Sequence, residues 1–212
     1  MKWLKTFESY TQKTLIIVDV QKSFFKFFKN NPQQLTGEQY LDKLNSYCQQ
    51  FESVYQIWDN HINGKSVDKD YLYDVDPVQD ESDDLYQFPN QVDVIEKRYN
   101  YDVDADFYKK VLSQDVYNEI KLKESENSLM KGDIFPTKEG TIITYIGNNH
   151  KWFHCPLKLY NMLSNLKDQQ VNVVGGANSE CLEDVIITAE SLGVKIKRDT
   201  DFIYSASTMK SM

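Results

Sequence analysis

Cysteine, positive charge and long apolar runs are all scarce in this sequence of 212 residues. Its three cysteines, Cys48, Cys155 and Cys181, are an odd number at wide spacings, without a CxxC pair. This argues against a disulfide framework and against a structural zinc site. No run approaches the roughly 18–20 apolar residues of a membrane span, and polar residues interrupt the first ten positions, unlike a signal peptide. We therefore expect a cytoplasmic protein that does not enter a membrane.

The charge balance is acidic, with 32 Asp and Glu residues against 24 Lys and Arg residues, a net charge of −8 and a pI of about 4.9. Affinity for nucleic acids comes mainly from Lys and Arg side chains on phosphates, so we expect no nucleic-acid partner. Hydrophobic residues make up 41% of the chain and aromatic residues 13%, enough for a folded core. The length favours a single domain over residues 1–212 that carries insertions.

Short apolar segments alternate with segments of helical periodicity along the chain. The predicted strands cover residues 14–18, 54–58, 91–97, 141–146, 171–174 and 194–197. The predicted helices cover about 40–51, part of 105–140, 157–166 and 181–192, and the first follows a capping box of Thr36 and Gln39. This alternation predicts an α/β fold, a three-layer αβα arrangement with a mainly parallel central sheet.

Two polar stretches, near 62–90 and 105–140, interrupt this pattern and are predicted to be insertions. Within the first, residues 66–84 carry eight carboxylates and one lysine. They do not follow the spacing of a calcium-binding loop, so a solvated loop is the expected structure.

Polar residues follow the predicted strands at their carboxyl ends, where open α/β sheets place their ligand crevice. A partly desolvated carboxylate at Asp19 suits a general base, although it could equally cap the turn that follows. Cys181 comes after a Gly-Gly turn and begins a helix, where backbone N–H groups and the positive end of the helix dipole favour a thiolate. The alternative for Cys181 is a small buried apolar side chain, which is what we expect for Cys48 and Cys155.

Three segments in this order resemble the isochorismatase-like cysteine hydrolases. Leu15–Gln21, with Phe24 soon after, is similar to that family's opening strand, an apolar run followed by Asp-x-Gln. Residues 54–61 are similar to its second strand, which ends in Asp-x-His, and residues 173–193 are similar to its nucleophile segment. The resemblance implies the isochorismatase-like hydrolase fold and hydrolysis of a small amide or carbamoyl compound, such as nicotinamide, through a thioester.

The resemblance also implies catalytic roles for individual residues. Asp19 would accept the thiol proton and later activate water, and Cys181 would be the nucleophile. Lys97, at the end of the predicted strand 91–97, would support the thiolate. The interval from Lys97 to Cys181 is longer than in the family, so the 105–140 insertion has to be assumed for Lys97. Lys151 is a rival candidate, and both lysines could instead be solvated surface residues.

In the same family, backbone N–H groups next to the nucleophile stabilise the oxyanion, which implies Ala177 and Cys181 here. A cis peptide is often found in this turn and would fall between Gly176 and Ala177. Phe24 and Trp58 would contact a flat substrate, although aromatic side chains more often fill the core.

The nicotinamidase branch of the family adds a metal site, and Asp59 and His61 match its first two ligands. An oxygen and nitrogen pair of this kind is compatible with Zn or Mn. The third histidine is missing at the expected distance, so these two residues could instead orient the loop, and no cofactor is otherwise required. We expect a homo-oligomer, and the alternative to an enzyme is a non-catalytic binding or assembly module with this fold.

Overall fold

The computed structural model describes residues 13–59, 84–97, 110–147 and 152–206. The strands in chain order are β1 (Thr14–Val18), β2 (Ser53–Asp59), β3 (Gln91–Lys97), β4 (Ile134–Pro136), β5 (Ile142–Tyr145), β6 (Trp152–Cys155), β7 (Gln170–Gly175) and β8 (Lys195–Ile203). The helices are a 3₁₀ helix (Lys22–Asn30), α1 (Gly37–Cys48), α2 (Gln114–Ser125), α3 (Leu157–Asn165) and α4 (Cys181–Ser191). No helix within the described ranges is long and apolar enough to cross a membrane.

The main sheet has five strands in the order β3-β2-β1-β7-β8, and every neighbouring pair is parallel. Every residue of the central strand β1 is buried, which explains its uninterrupted apolar sequence, since a strand covered on both faces needs no polar side. On one face, α1 and the 3₁₀ helix pack through Tyr40, Leu44 and Phe28. On the other face, α3 and α4 pack through a second cluster of buried residues. The predicted three-layer α/β fold is confirmed.

The predicted capping box at the start of α1 is also present. The Thr36 hydroxyl accepts a hydrogen bond from the Gln39 N–H at 3.2 Å, and the Gln39 side chain accepts one from the Thr36 N–H at 3.1 Å. These bonds satisfy two backbone donors that would otherwise lack helical partners. They fix where the first covering helix begins.

A second sheet is formed by β4, β5 and β6, which pair antiparallel in that order. The sequence pattern predicted a strand over 141–146 but not that it lies outside the main sheet, and it did not predict β6. Side chains on one face of this small sheet, Phe153 among them, join the cluster that includes α4. Side chains on its other face, including Trp152, pack on Ile120 of α2. The small sheet therefore lies between α2 and the helix that begins at Cys181.

The predicted insertions fall only partly within the described chain. The structure describes residues 84–90 of the first, and residues 110–140 of the second contain α2 and β4. Most of the acidic stretch lies outside the described residues.

Candidate active site

Asp19 directly follows the central strand β1 and is 1% exposed. Its φ of 52° lies in the left-handed region, which is uncommon for a residue with a side chain and costs of order 1–3 kcal/mol. Its N–H donates to the Ile57 carbonyl of β2 at 2.8 Å. A conformation of this kind persists only where the surroundings hold it, so the placement of the Asp19 carboxylate is imposed by the fold.

Lys97 is the last residue of β3 and pairs in register with Asp59, the last residue of β2. Because β2 lies between β1 and β3, the Lys97 side chain spans the end of β2 to reach Asp19. Its Nζ donates to the Asp19 carboxylate, and both side chains are buried. This contact brings together two of the residues that the family resemblance assigned to the site, while the rival Lys151 lies outside the described residues.

The charge of Lys97 is set by its surroundings. Burial by itself lowers the pKa of the ammonium, but the negative charges of Asp19, Cys181 and Asp59 outweigh this and raise the pKa above its ordinary value. Lys97 is therefore a fixed cation at neutral pH. A cation held next to a cysteine stabilises the thiolate, the nucleophilic form of that side chain.

The turn after β7 is shaped by two glycines. Gly175 has a φ of 103°, and a Cβ on it would lie 2.0 Å from the Val18 carbonyl oxygen, so no other residue fits. The Gly176 N–H donates to the same oxygen at 3.0 Å. The peptide between Gly176 and Ala177 is cis, as the family resemblance implied. The turn thus lies against the end of β1 and leads into α4.

Cys181 is the first residue of α4 and is half-buried, whereas the other two cysteines are fully buried. The Ala177 carbonyl accepts hydrogen bonds from Glu180 at 3.1 Å and Leu182 at 3.3 Å, which closes the turn around Cys181. Ala177 is 7% exposed, and its N–H donates to no acceptor in the described part of the chain. An N–H group in this setting is suited to bind an oxyanion.

We expect Cys181 to be the only described cysteine that iodoacetamide alkylates quickly near neutral pH. Burial raises the pKa of Cys48 to about 12 and raises that of Cys155 well above its ordinary value, so both stay thiols and are shielded from reagent. Peptide mapping after brief alkylation measures all three in one sample. Modification of Cys48 or Cys155 ahead of Cys181 would contradict this assignment.

Gln21 is a residue whose role the sequence did not reveal. Its side-chain oxygen accepts from the Asp59 N–H at 2.8 Å, and its Nε2 donates to the Asp59 carbonyl at 2.9 Å. The same Nε2 donates to the Asp84 carboxylate at 2.5 Å. Asp84 also accepts from the N–H and hydroxyl of Ser23, at 2.8 and 3.1 Å. One carboxamide therefore ties the end of β2 and Asp84 to the segment after β1.

The prediction of a solvated loop over 66–84 is wrong at Asp84, which is 1% exposed. Hydrogen bonds from Gln21 and Ser23 replace its water, which makes the burial of a carboxylate tolerable. The other residues of that stretch lie outside the described chain.

The remaining residues predicted for the site are Asp59, His61, Trp58 and Phe24. Asp59 is buried beside Lys97, but His61 lies outside the described residues. In the described ranges, no group of three or more His, Cys, Asp or Glu side chains converges on a common point that could hold a metal ion. Trp58 is 2% exposed, and Phe24 is half-buried against the core cluster of α1. Their contact with a substrate stays a prediction.

Comparison with known proteins does not identify the chemistry of this site. No protein-family model and no curated protein matches the chain. Among solved structures, the crystal structure of a nicotinamidase from Staphylococcus aureus is similar, at 16% sequence identity over 92% of this chain and 86% of that one. The TM-score is 0.38, too low to carry an argument about function. The chemistry of this site has to be argued from its own residues.

Proposed function

We propose that this protein is a cysteine-dependent hydrolase of a small amide or carbamoyl compound that works through a thioester intermediate. The observation that carries the proposal is the buried contact of the Lys97 ammonium with the Asp19 carboxylate, close enough to Cys181 for its charge to raise the pKa of the lysine. A carboxylate directly after β1, a cation at the end of β3 and a thiol at the start of α4 supply a base, an electrostatic support and a nucleophile.

In the acylation half of the reaction, Asp19 takes the proton of the Cys181 thiol, and the resulting thiolate attacks the carbonyl carbon of the substrate. The carbonyl oxygen becomes an oxyanion, which the N–H groups of Ala177 and Cys181 bind. The tetrahedral intermediate then expels the nitrogen, which leaves as ammonia or an amine after taking the proton from Asp19. A thioester on Cys181 remains, and Asp19 is again a carboxylate.

In the deacylation half, Asp19 removes a proton from water, and the resulting hydroxide attacks the thioester carbonyl. The carbon–sulfur bond breaks, the Cys181 sulfur recovers the proton, and a carboxylic acid is released. The net change is that one amide and one water become one acid and one ammonia. Splitting the hydrolysis in this way replaces one difficult step by two easier ones.

Lys97 has an electrostatic role in this scheme. Its pKa is raised above the ordinary value of a lysine, so it transfers no proton at neutral pH and acts as a fixed positive charge. That charge stabilises the thiolate before attack and the oxyanion after it. Asp59 and His61 stay a predicted pair of ligands for Zn or Mn, and no step requires them.

An ammonia-release screen over nicotinamide, other small amides and carbamoyl compounds tests the proposal. We expect at least one class to release ammonia, and mass spectrometry of the quenched reaction should find an acyl group on Cys181. The Cys181→Ala variant is the control and should release none above the blank. If the native protein forms neither ammonia nor an acyl adduct with any compound, the amidohydrolase proposal fails and a non-catalytic binding or assembly module becomes the better explanation.

A further inference from the structure

Tyr204 lies just after the edge strand β8 and is 1% exposed. Its hydroxyl donates to the main-chain carbonyl of Asp19 at 2.5 Å, across 185 positions of sequence. Burial and the negative charge of Asp19 raise the pKa of the Tyr204 hydroxyl well above its ordinary value, so the group stays a donor. The Asp19 backbone is therefore held by two hydrogen bonds. Its N–H donates to the Ile57 carbonyl, and its own carbonyl accepts from the Tyr204 hydroxyl.

The same tyrosine also contacts the turn before the nucleophile. Its N–H donates to the Gly175 carbonyl at 3.0 Å, and its own carbonyl accepts from the Asn178 N–H at 2.8 Å. Its ring lies over Gly176 so closely that a Cβ there would be 2.6 Å from ring atoms. One side chain and its backbone therefore connect the residue that would act as base to both ends of the turn that presents Ala177.

We propose that Tyr204 is a positioning residue, which holds the left-handed Asp19 and the Gly175–Asn178 turn in the relative placement that the reaction needs. This inference rests on the proposed function, because it concerns the same site. Small displacements of a base relative to a nucleophile slow the reaction strongly, and a misplacement of 1 Å can lower the rate about 10²-fold. A hydroxyl that fixes the backbone of the base acts on the rate without touching the substrate.

The test is Tyr204→Phe, which keeps the ring and removes only the hydroxyl. The matched control is Tyr40→Phe, because Tyr40 is 0% exposed, belongs to the same core cluster and donates to a main-chain carbonyl, that of Phe202, at 2.8 Å. Each variant loses one hydroxyl-to-carbonyl hydrogen bond of a buried tyrosine, so both should lose similar stability against urea. Only Tyr204→Phe should lower kcat, on the order of 10²-fold, with KM nearly unchanged.

A second readout separates this inference from the proposed function, because it needs no substrate. The alkylation rate of Cys181 with iodoacetamide is measured against pH for the native protein and both variants. We expect Tyr204→Phe to shift the midpoint of this profile and Tyr40→Phe to leave it in place, since only the first frees the Asp19 main chain that positions the carboxylate bonded to Lys97.

These outcomes decide the role of Tyr204 whether or not a substrate is known. If the native protein hydrolyses no amide, a midpoint shift confined to Tyr204→Phe still supports positioning while the proposed function fails. If Tyr204→Phe matches Tyr40→Phe in kcat, or in the alkylation profile where no activity exists, then Tyr204 is only structural and the inference is overturned.

Discussion

The Lys97→Met variant should be about 3–5 kcal/mol less stable than the native protein, and its hydrolytic activity should collapse. Methionine keeps much of the aliphatic length but removes the ammonium, so the Asp19 carboxylate stays buried without the cation that now bonds to it. From the sequence alone, little change in stability is expected, because the side chain keeps its stem. Because Lys97 and Asp19 are both buried in the structure, we expect a large loss of stability instead. Urea denaturation followed by circular dichroism measures the loss.

A lysine that pairs with a residue of the same strand provides the control. Lys158 of α3 donates to Asp93 of β3 at 2.6 Å, but these side chains are 57% and 39% exposed. An exposed pair contributes at most about 1 kcal/mol, so Lys158→Met should be nearly neutral and should keep its activity. If Lys97→Met unfolds at the same urea concentration as Lys158→Met, the buried pair does not stabilise the fold.

The Asp19→Asn variant should lose roughly 10²–10⁴-fold in kcat on whichever amide the native protein hydrolyses. Asparagine has nearly the same shape, but its amide cannot take the thiol proton or later remove one from water. Both halves of the reaction are affected, because each needs a proton transfer through Asp19. The value of kcat is measured from steady-state ammonia release, and near-ultraviolet circular dichroism verifies that the variant is packed like the native protein.

Asp93→Asn is the matched change for this experiment, because it removes a carboxylate that pairs with a lysine far more exposed than Lys97. It should leave kcat unchanged. Asp19→Asn protein that is folded and turns over at the native rate would show that Asp19 is not the base. Asp19→Asn protein that is unfolded would identify a structural carboxylate instead.

The parts of the site that the sequence predicted are those where strand order decides the geometry. A charged residue stands at the carboxyl end of each of the strands β1, β2 and β3: Asp19 comes directly after β1, and Asp59 and Lys97 are the last residues of β2 and β3. Parallel strands bring such ends to one edge, so a lysine at the end of β3 comes near an aspartate at the end of β1. Strand order accounts for the contact of Lys97 with Asp19, which the sequence predicted only through the family resemblance and left open against Lys151.

The features that the sequence did not predict depend on partners distant in the chain. β4, β5 and β6 have only three or four residues each, too few for a pattern that says which sheet they join. The burial of Asp84 depends on Gln21 and Ser23, more than sixty positions away, and nothing distinguishes it from the other carboxylates of its stretch. Nothing in the sequence distinguishes Tyr204 from the other aromatic residues, and only the structure shows the hydrogen bond from its hydroxyl to Asp19.

The bond network of Gln21 has a consequence for how this protein could change over evolution. Asp59 and Asp84 are bonded to the same Gln21 nitrogen, so these two residues, which flank positions 60–83, are held close to each other. When the two ends of a segment are held together, a change in its length costs little free energy, since doubling the length of a loop costs only about 0.6 kcal/mol. Insertions and deletions there leave the spacing of β2 and β3 untouched. The placement of Asp59 and Asp84 at the ends of this stretch, and with it the contact of Lys97 with Asp19, therefore does not depend on how many residues lie between them.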